Sequence, residues 1–177
     1  SPIAMLVTNT HPDDLNEGMQ SVEFVDEMNA SLTSVKRHSH ALAEAKSEEG
    51  KVSRHDIKAL IVWHNERFDS KFIAKESARN LDTNTRLHQT YKTVSVDTRA
   101  ISRTLAAYAP GAYKVAKKPD SDFWDHTLES LSKENGLDYD EKKDHGGQYD
   151  TNLCMDLFWK QYDIAPDLVE QMIINAD

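Results

Sequence analysis

The sequence predicts an all-α protein, with a long N-terminal helix, a bundle of short helices and an acidic C-terminal helical region. Three observations lead there. The 177 residues hold 6 Gly and 5 Pro, where average usage would place roughly 21. No Gly or Pro interrupts residues 19–49 or 51–109. Within those stretches apolar residues recur at spacings of three and four, the period of a helix with one buried face.

In the first stretch Leu15, Met19, Val22, Val25, Met28, Leu32, Val35 and Leu42 form one stripe whose period is nearer 3.5 than 3.6. Ser21 is a candidate N-cap and Gly50 a natural stop. Such a helix is either the core helix of a bundle or the seam of a self-associating coiled coil. In the second case Val22, Val25, Met28, Leu32 and Val35 carry oligomerisation. Ser53 and Asp56 resemble a capping box opening a helix that buries Ile57, Leu60, Ile61, His64 and Phe68. Shorter helices follow. Asp69 or Ser70 caps one with Phe72, Ile73, Ser77 and Leu81; Asp82 or Thr83 caps one with Leu87, Tyr91 and Val94; Asp97 caps one with Ile101, Leu105 and Tyr108.

Residues 109–120 contain Pro110, Gly111, Pro119, Lys114, Lys117 and Lys118 and read as a basic linker. It separates a helical domain at 1–108 from an acidic helical region at 121–177. Beyond it, Ser121 caps a helix with Trp124, Leu128 and Leu131 that Asn135 and Gly136 close, and 138–150 is a polar loop. Asp150 or Thr151 begins a helix with Leu153, Leu157, Phe158 and Trp159, and Pro166 opens the last one, with Leu168, Val169, Met172 and Ile173. Strand signals are confined to a short piece at Ile3 to Val7.

Charge is sorted along the chain. Residues 1–50 carry net −6, residues 51–118 net +8 and residues 119–177 net −11, for an overall −9. The overall balance argues against a polyanion partner, and the central basic block restores that possibility. Arg86, Lys92, Arg99, Arg103, Lys114, Lys117 and Lys118 face only Asp97 between residues 85 and 118. Such density suits nucleic acid, because each phosphate neutralised releases condensed counterions. The residues around Asp82, Thr83 and Asn84 allow a helix-turn-helix-like arrangement with Arg86 to Val94 entering a groove, although the turn has no Gly.

Metal and catalytic motifs are weak. His40 and Glu44 share a face with only two ligands, while His38 lies off it. Asp138, Asp140, Glu141 and Asp144 fail the EF-hand spacing, because Lys142 and Lys143 occupy the fifth and sixth positions. No nucleophile elbow, phosphate-cradling loop or zinc-protease motif occurs. His64 on an apolar face reads as a core histidine before a general base, and Cys154 as a buried thiol. A single cysteine and no apolar run of about 20 residues predict a reducing, intracellular setting. The expectation is a non-enzymatic, nucleic-acid-associated regulatory or assembly factor without cofactor, catalytic residues or metal, oligomerising through its first helix. The rival is a structural or adaptor protein whose basic middle docks acidic segments of neighbouring subunits.

Overall fold

Two short parallel strands stand among the helices, and one of them lies within the stretch expected to be helical from Ile57 to Phe68. The computed structural model describes residues 21–47, 51–53, 57–79, 93–142 and 147–176. Its elements are α1 (Ser21–Lys46), β1 (Ala59–Trp63), α2 (Glu66–Arg79), β2 (Thr93–Asp97), α3 (Thr98–Tyr108), α4 (Leu128–Glu134), α5 (Gly147–Ile164) and α6 (Pro166–Asn175). β1 and β2 pair as a parallel two-stranded sheet with α2 between them in sequence. The all-α class is therefore corrected to a mostly helical chain with a small βαβ element.

The physical reason lies in the two segments themselves. Residues 59–63 are Ala-Leu-Ile-Val-Trp, a short apolar run that fits a buried strand as well as a helix. Thr93–Asp97 alternates strictly, with Val94 and Val96 buried and Thr93, Ser95 and Asp97 partly exposed. That is the period of a pleated strand. Grouping Val94 with Leu87 and Tyr91 at helical spacing concealed it, and residues 80–92 lie outside the described residues.

The chain divides into two compact units, one holding Val62–Asp69 and Ser95–Asp177, the other the described residues of His11–Ile61 and Ser70–Val94. In the second unit α1 runs 26 residues without Gly or Pro, with Lys46 in its last turn where a cation favours the dipole. Met28 and Leu32 are buried, whereas Val35 and Leu42 are 48% and 49% exposed. The side chains of Val22 and Val25 lie outside the described residues. His40 Nε2 meets the Val52 carbonyl at 2.8 Å and Nδ1 lies 3.4 Å from Glu44, so its partners come from the chain itself.

The first unit is built on α5, which packs against α3, α4 and α6. Val96, Ile101, Leu105, Tyr113, Leu131, Leu157, Phe158, Ala165 and Val169 form its core. Asp97 caps α3, accepting from Arg99 N, and Ile101 and Leu105 face inward. Tyr108, expected on the same face, is 69% exposed. α4 begins at Thr127, whose hydroxyl accepts from Ser130 N, rather than at Ser121. It closes at Asn135 and at Gly136, whose φ of 72° is the left-handed conformation of a helix stop. Pro166 sits in the first turn of α6. The stretch 109–120 runs within this unit and is pinned there by buried Tyr113 and by Asn135, which bonds Lys114 N and O.

Candidate functional site

Polar residues converge where β1 and β2 end, and Asp97 organises them. One carboxylate oxygen accepts from Asn65 N at 3.0 Å and from Arg99 N at 2.9 Å; the other accepts from Glu66 N at 3.1 Å. The same side chain therefore caps α3 and holds the entry to α2, satisfying backbone donors that helix starts leave orphaned. Asn65 makes this possible by adopting φ 69°, a left-handed conformation that Asn tolerates better than most residues. Its Oδ1 accepts from the Arg99 guanidinium at 3.1 Å.

Beside this knot, His64 Nδ1 lies 2.8 Å from Thr98 Oγ1, and the Thr98 hydroxyl donates to the Trp63 carbonyl at 3.0 Å. Thr98 has one proton to give, so the pair holds together when His64 Nδ1 carries the ring proton. Burial pushes His64 down to about 4, against the opposing pull of Asp97 and with help from the Arg99 charge. The ring is therefore neutral near pH 7. Burial raises Asp69 to about 6, with further upward pressure from the Asp97 carboxylate. Burial also pushes the Cys154 thiol up to about 12, which leaves it protonated and a poor nucleophile.

A second chain of hydrogen bonds leads outward from the core. Buried Gln161 donates from Nε2 to Thr98 O at 2.9 Å and to Tyr113 Oη at 2.8 Å. Burial raises the Tyr113 hydroxyl, with Ser102 and Gln161 beside it opposing that shift, and Ser102 Oγ lies 2.9 Å from His126 Nδ1. His126 in turn lines an open cleft of about 380 Å³ with Arg103, Ala106, Ala107, Tyr113, Val115 and Trp124 among the walls. Partial burial lowers His126, and the Arg103 and Arg99 charges lower it further.

The cleft rests on an irregular segment. An antiparallel bridge joins Lys117 to Trp124, supported by bonds from Lys118 N to Phe123 O at 2.9 Å and from Asp125 N to Ala116 O at 2.8 Å. Trp124 is 55% exposed. The Lys117 ammonium stands 5.9 Å from its ring centroid and also pairs with exposed Asp122 at 3.3 Å.

The basic residues named from the sequence divide among these places. Arg103 lines the cleft and Lys117 flanks its tryptophan. Arg99 turns toward Asn65, while Lys114 and Lys118 are exposed. Arg86 and Lys92 lie outside the described residues, as do Asp82, Thr83 and Asn84 of the helix-turn-helix reading. Trp124 and His126 were missed as cleft residues because Trp124 completes a helical spacing with Leu128 and Leu131. The contrary signal was Pro119, Asp120 and Ser121, a run of turn formers just upstream, and Asp120 does adopt φ 55°. Among the described residues no cluster of three or more His, Cys, Asp or Glu side chains is arranged to hold a metal, and no helix is long and apolar enough to cross a membrane. Comparison of the chain with protein families, with curated proteins and with solved structures found no match.

Proposed function

We propose that the protein is a non-enzymatic, nucleic-acid-associated regulatory or assembly factor, and that its contact surface is the cleft bounded by α3 and the 117–124 bridge. The observation that carries this reading is the placement of Arg103 and Lys117 around a solvent-open tryptophan. Guanidinium and ammonium groups supply the counterion-release term, and an exposed aromatic face supplies stacking. Lys114 and Lys118 extend the charge along the same segment. The Lys117–Asp122 pair is solvent-exposed, so its loss to a phosphate costs little.

Fluorescence anisotropy of labelled oligonucleotides with the full chain tests this reading. With about three cations engaged on a single strand, log K should fall against log salt with a slope near −2. Arg103→Gln should flatten that slope by about 0.7. Absence of binding to single-stranded and duplex DNA and RNA at 50 mM salt refutes it.

The accompanying proposal, self-association through α1, rests on Val35 and Leu42. They stand seven residues apart, on one line of the helix, and both are about half exposed. Replacing both by Asp should convert an oligomer to folded monomers in light scattering. A monomeric mass for the unaltered protein at micromolar concentration removes this part of the proposal.

A further inference from the structure

We propose that the cleft is a single-nucleotide subsite selective for single-stranded nucleic acid, with an unpaired base on Trp124 and its phosphate against Arg103 and His126. The inference rests on the preceding reading and narrows it to one class of ligand. A volume of about 380 Å³ is at the small end of ligand clefts. It accommodates one nucleotide-sized group and has no room for a duplex. Bases inside a duplex already stack on one another, so only a splayed base can offer Trp124 its face.

The apolar walls, Ala106, Ala107, Pro110 and Val115, suit the flat body of a base. Arg103 and His126 line the same cleft, and after burial the Arg103 charge is the largest influence lowering His126. A guanidinium and a neutral imidazole that line one cleft can both present N–H donors to an anion bound there. His126 is also fixed from behind, since Ser102 holds Nδ1. When Ser102 donates that bond, the proton of the neutral ring is on Nε2, where it can serve as a donor to a phosphate oxygen. Nothing in this arrangement reads a base edge. Sequence preference should therefore be weak and the preference for single strands strong.

The test compares the full-length protein with labelled dT12 and with a labelled 12-base-pair duplex at 50 mM salt. Binding to dT12 should be at least tenfold tighter. Trp124→Leu should weaken dT12 binding about tenfold to a hundredfold while leaving the duplex unaffected, and Trp124→Phe should recover most of the loss. Arg103→Gln should weaken both ligands. Trp124 is more than half exposed, and an unchanged far-UV circular dichroism spectrum and melting temperature verify that the variants fold. Equal affinity for both ligands with no effect of Trp124→Leu overturns the subsite and leaves the nucleic-acid reading standing. Binding to neither ligand overturns both. A change of light-scattering mass in Trp124→Leu, together with no oligonucleotide binding, reassigns the cleft to a protein contact.

Discussion

Asp97→Ala is expected to destabilise the protein by about 3 kcal/mol, lowering its melting temperature by roughly 6–12 °C. The substitution removes the acceptor of three backbone N–H groups at once, those of Asn65, Glu66 and Arg99. An N-cap alone is worth about 1 kcal/mol, and a hydrogen bond to a charged group about 1.5–3 kcal/mol. The three do not add fully, because Asp97 is partly exposed and water can reach some of the abandoned donors. Asp97→Asn separates the contributions. Its single carbonyl oxygen can keep the bonds to Asn65 and Arg99, but the amide nitrogen cannot accept from Glu66. Its cost should be about half that of Ala. Urea melts of the three proteins read this directly, and equal stability of Asp97→Ala and the parent would mean that Asp97 does not hold α2 and α3 together.

The same residue shows what was legible in the sequence. Asp97 is legible as the cap of α3 from its position before Ile101 and Leu105, because a cap and a buried stripe are local patterns. The stop at Asn135-Gly136 and Pro166 in the first turn of α6 are legible for the same reason. Its second role, tying β1 to α2, depends on Asn65 and Glu66, 32 and 31 residues away. No window of sequence contains both partners.

The strands failed differently. Ile57, Leu60, Ile61, His64 and Phe68 satisfy helical spacing, so a five-residue strand inside them is invisible until β2 supplies its partner. The cleft shows the intermediate case. Arg103 is legible by its charge, but Trp124 fits a helical face with Leu128 and Leu131. The bridge to Lys117, distant by seven residues, is what sets its ring beside a cation at 5.9 Å.

His64 and Asp69 should make opposing contributions to stability between pH 4 and 7, and single substitutions should expose each. The folded-state value of His64 is lowered to about 4 from 6.5. Below pH 6.5 the unfolded chain therefore takes up a proton that the folded protein refuses, and stability falls by about 3 kcal/mol as pH drops toward 4. Asp69 is raised to about 6 from 3.8, so folding carries a penalty above pH 6 that disappears as pH drops toward 3.8. Because Asp69 is only half-buried, solvent screening reduces that penalty to about 1–2 kcal/mol. Both groups face Asp97, and His64 also faces Arg99 and His126. Measured against the parent at each pH, Asp69→Asn should be more stable by about 1–2 kcal/mol at pH 7 and equal to it at pH 4. His64→Gln, which can still hydrogen-bond Thr98, should gain about 3 kcal/mol relative to the parent on going from pH 7 to pH 4. Urea denaturation at pH 4, 5, 6 and 7 resolves both trends, since groups common to the compared proteins cancel. A difference between His64→Gln and the parent that stays constant with pH would place His64 in solvent rather than in the closed polar knot behind the cleft.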